Sequence, residues 1–153
     1  MATLTPFLWY DKNLKEITDF YKTVFPDMIV ESNGQLEETP SGRVEMATMT
    51  ILGQKLAMMT AGPTFKFTEA ISLMITVDSQ EEFDYYWGKL SAVPEAEQCG
   101  WLKDKYGLSW QITSQAMNRM MSEGTPEQVA RVVQAFMPMK RLDFAAIEAA
   151  YRG

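Results

Sequence analysis

The alternation of apolar and polar residues at the start of the chain predicts one strand, one helix and three further strands. Residues 5–10 alternate with the period of two that is typical of a half-buried strand. Apolar side chains then recur with helical spacing at Leu14, Ile17, Phe20, Tyr21 and Val24. Asn13, with Glu16 three residues on, is typical of a helix N-cap, and Pro26 ends the helix. Strands follow at residues 28–31, 44–52 and 55–60, and the polar stretch 32–42 is predicted to be a loop.

A similar order of elements recurs after a linker at residues 61–68. Residues 71–77 predict a strand, and Ser79 with Glu82 predicts the start of a second helix. Residues 92–98 predict a loop or a short strand. Residues 100–113 predict an aromatic hairpin at the far edge of a curved sheet, in which Gly107 supplies the positive φ of the corner.

From Ser114 onwards the apolar spacing becomes helical. Thr125, Pro126 and Gln128 are typical of a helix start, with a cap, a proline in the first turn and a glutamine at the capping-box position. Asp143 predicts the cap of a last short helix. The apolar residues predicted to face inwards on these helices include Val129, Val132, Val133, Phe136, Ile147 and Tyr151.

The repeated order of elements predicts an α+β protein built from two fused β-α-β-β-β modules. The modules are predicted at residues 1–61 and 69–113, which together form a paired domain over residues 1–113, and residues 114–153 form a helical C-terminal arm. The second module lacks most of one strand. Curved sheets of this kind are expected to surround a cavity, and the arm is expected to cover a sheet edge or a subunit interface.

Composition narrows the chemistry that the chain can support. The formal net charge is −6 and no basic stripe is present, which disfavours nucleic acid as a partner. No apolar run is long enough to span a membrane, and the single cysteine is typical of a cytoplasmic protein. The chain contains no histidine, which excludes Ser-His-Asp, Cys-His and His-metal chemistry within it.

Several short motifs resemble one known family. The ending Asp104-x-x-Gly107-x-x-Trp110-x-Ile112, the opening 6–10 with Asn13 and Phe20-Tyr21, and the strand starts at 42–44 and 53–58 are similar to the PhnB-like branch of the vicinal oxygen chelate superfamily. This is the glyoxalase, bleomycin-resistance and dioxygenase fold, whose PhnB-like members are often labelled 3-demethylubiquinone methyltransferase. The resemblance implies that fold, a homodimer and a small-molecule ligand.

The resemblance also implies where a metal site would lie. Metal-dependent members place His or Glu ligands on four strands, and the matching neighbourhoods here are Pro6, residues 58–60, Ser72 and Gln111. A neutral amide is a poor metal ligand, and a site needs several convergent ligands. We therefore expect no metal ligands and no cofactor, and we identify no catalytic residue. The sequence also lacks a glycine-rich turn between a strand and a helix, which would be expected where the charged part of a cofactor meets a helix N-terminus.

Strand parity and the resemblance nominate residues for a ligand pocket: Leu8, Met46, Thr48, Met58, Ser72, Met74, Cys99 and Gln111. Methionines suit an adaptable apolar wall, and the polar residues would orient a ligand. Core packing and hydrogen bonds within the sheet are the plainer interpretations of the same residues. Cys99 has no histidine to activate it and is more typical of a small buried side chain.

The sequence therefore predicts metal-independent binding of a small, mostly apolar molecule in the sheet cavity. Two alternatives stay open. One is an enzyme of the kind that the family label suggests, a methyltransferase or a lyase. Such an enzyme would need a catalytic base, and no residue of the sequence is identified as one. The other is a resistance protein that sequesters its ligand, of the bleomycin-binding kind.

Overall fold

The computed structural model describes the whole chain, residues 1–153, as two compact units that divide after Phe67. The first unit contains the predicted β-α-β-β-β order. Its elements are β1 (Phe7–Tyr10), α1 (Leu14–Val24), β2 (Ile29–Thr39), β3 (Gly42–Ile51) and β4 (Gln54–Thr60). The strands form one sheet in the order β1-β4-β3-β2, in which β1 runs parallel to β4 and the other neighbours are antiparallel.

Helix α1 covers one face of the first sheet. Its buried side chains include Ile17, Tyr21 and Val24, and the hydroxyl of Tyr21 lies 2.9 Å from that of Tyr10 on β1. The strand residues on this side are buried and alternate along each strand, as a half-buried sheet requires. They include Leu8, Tyr10, Ala47, Met49, Leu56 and Met58.

Two local predictions for the first unit are wrong. Residues 32–42 are not a loop, because β2 continues to Thr39 and forms a hairpin with β3. The stretch is polar because this edge strand is exposed on both sides, so it carries no buried stripe. Asn13 does not cap α1 with its side chain, because its backbone is left-handed, with φ 63°. Asparagine tolerates this conformation better than most residues.

The second unit has the same plan with one strand fewer. Its sheet has the order β5-β7-β6, from β5 (Ser72–Val77), β6 (Trp101–Lys103) and β7 (Ser109–Ser114). Helix α2 (Gln80–Leu90) contacts all three strands, and a short 3-10 turn (Pro94–Ala96) occupies the predicted 92–98 loop. The hairpin is present with Gly107 at φ 82°, but β7 lies in the centre of the sheet rather than at its edge.

Three helices follow the second sheet: α3 (Gln115–Glu123), α4 (Pro126–Phe136) and α5 (Phe144–Arg152). The predicted capping box at Thr125 and Gln128 and the cap at Asp143 are both present. Val132 and Ile147 are fully buried, and Arg131 donates hydrogen bonds to the carbonyls of Ala150 and Tyr151. No helix of the protein has the length and apolar content needed to cross a membrane.

The chain between α4 and α5 is fastened to the second sheet. The amides of Cys99 and Gly100 donate to the carbonyls of Met139 and Lys140, at 2.6 and 2.9 Å. Leu142 is buried at this contact. Arg141 forms a bidentate ion pair with Asp84 on α2, with 2.7 Å between Nε and Oδ1 and 2.6 Å between Nη2 and Oδ2. We call residues 137–143 the strap, because they hold the C-terminal helices beside the start of edge strand β6.

The predicted fold class is confirmed: the protein is α+β, with two sheet-and-helix modules and C-terminal helices. The strap and the helices belong to the second compact unit, residues 68–153. The functional division into a domain at 1–113 and an arm at 114–153 stays a prediction.

Candidate functional site

Each sheet has one face opposite its helix α1 or α2, and we call it the open face. On the first sheet this face carries Phe7, Trp9, Met46, Thr48, Ala57 and Met59. On the second sheet it carries Ser72, Met74, Thr76, Trp101, Lys103, Ser109, Gln111 and Thr113. Most of these side chains are half-buried or exposed, in contrast to the fully buried residues beneath the helices. Both open faces are therefore candidates for ligand contact.

The predicted pocket residues of the first unit do not share one face. Met46 and Thr48 lie on the open face, as expected. Leu8 pairs in register with Met58, and Met58 pairs with Ala47, so Leu8 and Met58 lie on the opposite face beneath α1. Parity was expected to place Leu8 and Met46 on faces that line one cavity. Leu8 instead shares the face of Ala47, whose side chain points to the opposite side of β3 from that of its neighbour Met46.

The side chains around Met46 and Thr48 are mainly polar. Asn33 on β2 donates a hydrogen bond to the hydroxyl of Thr48 at 2.7 Å. Met46 also lines a depression of about 340 Å³, which the β2–β3 hairpin residue Glu45 and the α1 residues Leu14 and Lys15 share. Because α1 forms part of its wall, the depression does not define a site on the open face, whose apolar side chains include Trp9 and the exposed Phe7.

Trp9 is held in place by the linker that follows β4. Its indole nitrogen donates to the carbonyl of Gly62 at 2.9 Å, and its ring lies edge-on to Phe65 at 4.9 Å. Phe67 contacts Tyr10 at 5.1 Å, on the other face of the same strand. The linker therefore flanks β1 on both sides, which the sequence did not indicate.

The second open face brings three predicted residues together. Ser72 and Met74 lie on β5, and Gln111 lies beside Met74 in the register of β7. The side-chain amide of Gln111 donates a hydrogen bond to the hydroxyl of Ser72, with 2.8 Å between Nε2 and Oγ. Met74 is 57% exposed and offers a flexible apolar surface next to this pair.

Two further residues of this face were missed in the sequence. Ser109 is the register partner of Ser72; it is buried, and its hydroxyl has no hydrogen-bond partner. Trp101 on β6 is the register partner of Gln111. The sequence indicated the face of both residues. Ser109 lies two residues before Gln111 on the same strand, and Trp101 lies opposite Gln111 across the hairpin.

An ion pair borders the same face. Lys103, the partner of Ser109 in the β6–β7 register, binds the carboxylate of Glu69. The hydrogen bond from Lys103 lowers the pKa of Glu69, so this carboxylate stays ionised and balances the lysine. Glu69 therefore neutralises the one charged strand residue of the open face of the second sheet.

Cys99 does not belong to either open face. It lies in the turn before β6 with φ 39°, and its amide donates to the strap at Met139. Burial raises the pKa of its thiol, which lowers the fraction of thiolate. The structure places Cys99 outside the strands, at a backbone contact with the strap, and its position in a ligand pocket stays a prediction.

The residues at the family's metal positions do not fit a metal ion. The structure contains no group of three or more His, Cys, Asp or Glu side chains that could hold one. Gln111 contributes a neutral amide whose nitrogen is already bonded to Ser72, and a hydroxyl and an amide form a weak donor set.

Comparison with known proteins gives one family and one fold. The family model described as 3-demethylubiquinone-9 3-methyltransferase matches residues 2–113. A PhnB protein of Bacillus cereus is 30% identical, and the match covers 74% of this chain and 99% of that one, with a TM-score of 0.59. No match was found among the curated proteins.

Two more distant structures share the fold. A protein of Pseudomonas aeruginosa is 17% identical over 74% of this chain and 98% of its own, with a TM-score of 0.56. The fosfomycin resistance protein FosX of Listeria monocytogenes is 16% identical over 80% of this chain and 98% of its own, with a TM-score of 0.54. At these identities the likeness concerns the fold alone.

Proposed function

The chain belongs to the 3-demethylubiquinone-9 3-methyltransferase family, in the PhnB-like branch of the vicinal oxygen chelate superfamily, and from this premise we propose that it binds a small, mostly apolar molecule without a metal ion. The ligand lies against the open face of the second sheet. The protein works as a homodimer in the cytoplasm, which the family resemblance and the single cysteine favour.

One observation carries this proposal. The amide of Gln111, at a position where the family resemblance implies a carboxylate ligand in metal-dependent members, is hydrogen-bonded to Ser72, and Gln111 lies between Met74 and Trp101. A neutral hydrogen-bonding pair within apolar side chains suits the orientation of an organic ligand, and it suits a divalent cation poorly.

The family description also names a methyltransferase, and a protein of this fold without a metal can act by sequestering its ligand. These alternatives predict different ligands. A methyltransferase would bind S-adenosylmethionine, and a metal-dependent enzyme would bind nickel, zinc or manganese.

A panel of melting curves on the full chain tests the proposal. We expect alkylbenzenes to raise the melting temperature in a dose-dependent way, because a ligand that binds only the folded state stabilises it. S-adenosylmethionine and the divalent metals should leave the melting temperature unchanged. Stabilisation by either of these, with no effect of alkylbenzenes, would contradict the proposal.

Two matched variants locate the site. Met74→Glu introduces a charge on the open face and should abolish the shift caused by alkylbenzenes. Met121→Glu makes the same change at an exposed position on α3 and should leave that shift intact. Equal shifts in both variants would mean that the ligand binds elsewhere.

A further inference from the structure

Ser72, Ser109 and Gln111 form a polar strip on the open face of the second sheet. We propose that this strip recognises an uncharged carboxamide group on an otherwise apolar ligand, rather than a carboxylate or a metal chelate. The inference rests on the proposed function and specifies the chemical class of the ligand.

The orientation of Gln111 leaves a specific set of groups for the ligand. Because Nε2 donates to Ser72, the carbonyl oxygen Oε1 points away from that bond and can accept one. The oxygen of Ser72 accepts from Gln111, so its own hydroxyl proton can be donated. A primary carboxamide carries both an N–H donor and a carbonyl acceptor in one plane, which matches this set of one acceptor and adjacent donors.

Ser109 adds an independent observation. Its side chain is 1% exposed and its hydroxyl has no partner, although it lies next to Ser72 in the register of the two strands. Buried hydroxyls are almost always paired, and an unpaired one destabilises the folded state. A ligand that reaches the strip would supply the missing partner.

The charges at the border favour an uncharged group. Lys103 is the one ionisable side chain on the strands of this face, and Glu69 already neutralises it. A carboxylate ligand would have to displace Glu69 or lie unpaired beside apolar side chains, which is unfavourable. The apolar body of the ligand would rest on Met74 and Trp101, which flank Gln111 on the two neighbouring strands.

Three probes of similar size separate the possibilities: benzamide, benzoate and toluene. Titrations of the full chain would be followed by calorimetry and by the NMR signals of the Gln111 side-chain amide. We expect benzamide to bind at least about tenfold more tightly than benzoate and toluene, since one satisfied hydrogen bond of this kind corresponds to roughly that factor. The Gln111 amide signals should shift further with benzamide than with toluene, which perturbs them only through the ring current of its aromatic ring.

Two serine variants test the strip itself. Ser109→Ala should raise the melting temperature of the free protein, because it removes an unpaired hydroxyl, and should weaken benzamide binding about tenfold without changing toluene binding. Ser72→Ala provides a second test of benzamide binding should Ser109→Ala fold poorly. Ser122→Ala, at an exposed site on α3, serves as the matched control and should leave all three affinities unchanged.

The outcomes distinguish the two proposals. Tighter binding of benzoate than of benzamide would overturn the carboxamide assignment, as would an unchanged affinity for benzamide in Ser72→Ala and Ser109→Ala. Binding of toluene equal to that of benzamide would retain the proposed function and reject the assignment. If none of the three probes binds, both proposals fail.

Discussion

The indole nitrogen of Trp110 donates a hydrogen bond to the carboxylate of Asp104, with 2.9 Å between Nε1 and Oδ2. Both residues are buried, and Asp104 is 0% exposed. The other carboxylate oxygen accepts from the amides of Tyr106 and Leu108 at 2.9 and 3.1 Å. The carboxylate of Asp104 therefore joins both ends of the turn that contains Gly107 to Trp110, and these hydrogen bonds fix the β6–β7 hairpin.

We expect Asp104→Ala to lower the free energy of unfolding by about 3 kcal/mol, because several buried N–H groups lose their acceptor. Asp104→Asn should cost less, since its amide oxygen still accepts from the backbone. Urea unfolding curves measure both effects. Asp27→Ala, at an exposed position of the first unit, is the control. A change below about 0.5 kcal/mol for Asp104→Ala would show that the turn does not depend on the carboxylate.

The ion pair of the strap predicts a pH dependence. The hydrogen bond from Arg141 lowers the pKa of Asp84, against a smaller opposing effect of burial. A carboxyl whose pKa is lower in the folded state adds stability above its unfolded pKa of about 3.9, and that contribution disappears as the pH falls through the folded value. Because the pair is partly exposed, its contribution is at most about 1 kcal/mol.

Asp84→Asn should therefore be less stable than the wild type at pH 7 and equally stable at the lowest pH where both still fold. Melting curves across that range measure the difference, and limited proteolysis reports whether the strap detaches. Lys15, whose ion pair with Asp19 is highly exposed, offers the control Lys15→Ala. A constant difference between wild type and Asp84→Asn at all pH values would exclude a titrating pair.

The tight turn between β3 and β4 predicts a stabilising substitution. Leu52 has φ 48° and is followed by Gly53 with φ 82°, so both central residues of this hairpin turn are left-handed. Leucine is strained there and is 63% exposed, whereas asparagine tolerates the conformation. Leu52→Asn should raise the free energy of unfolding by about 0.5–1 kcal/mol. Leu52→Ala keeps the strain and should give no gain. A loss of stability with asparagine would indicate that the leucine makes a contact worth more than the strain.

Much of the fold follows from periodicity, and the exceptions have physical causes. The helices were predicted because their apolar residues recur with a fixed period above a buried face. The long β2 strand was missed because an exposed edge strand has no buried stripe, so its polar residues resemble a loop. The strap was missed because its contacts join Cys99 and Gly100 to residues 40 positions away through the backbone, which carries no side-chain signal.

The face on which each candidate residue lies could be read from the sequence only where the strand register was read correctly. Ser72, Met74 and Gln111 share one open face because all three lie on paired strands whose parity could be read correctly. Leu8 was assigned to the wrong face because the parity of β1 depends on its register with β4, and a shift of one residue reverses every side chain. Ser109 could have been found from its parity, but only the structure shows that its hydroxyl is buried and unpaired.

A substitution at the centre of the open face tests the absence of metal chemistry. Gln111→Glu should destabilise the protein near neutral pH, because a carboxylate beside Met74 and Trp101 is partly desolvated and its pKa is expected to rise above about 4.3. Stability should recover as the pH falls and the acid becomes neutral. The variant should still bind no nickel or zinc, since one carboxylate leaves the ligand set incomplete.

Melting curves of wild type and Gln111→Glu across pH, with and without each metal, provide the measurement. Elemental analysis of the purified wild type should find no stoichiometric transition metal. Equal stability of the two proteins at every pH would mean that the side chain faces water, and a metal-dependent rise in the melting temperature of the variant would show a usable set of further ligands.

The strap has a consequence for how the chain is made. The first unit is complete at Phe67, whereas the amides of Cys99 and Gly100, just before edge strand β6, have their acceptors at Met139 and Lys140, 40 residues later. At roughly 5–20 residues per second, a nascent chain emerging from the ribosome leaves these two amides beside the strand edge without their acceptors for seconds. Unpaired strand edges invite pairing with other chains, so crowding of polysomes and delays in translation between β6 and the strap should promote aggregation of this protein.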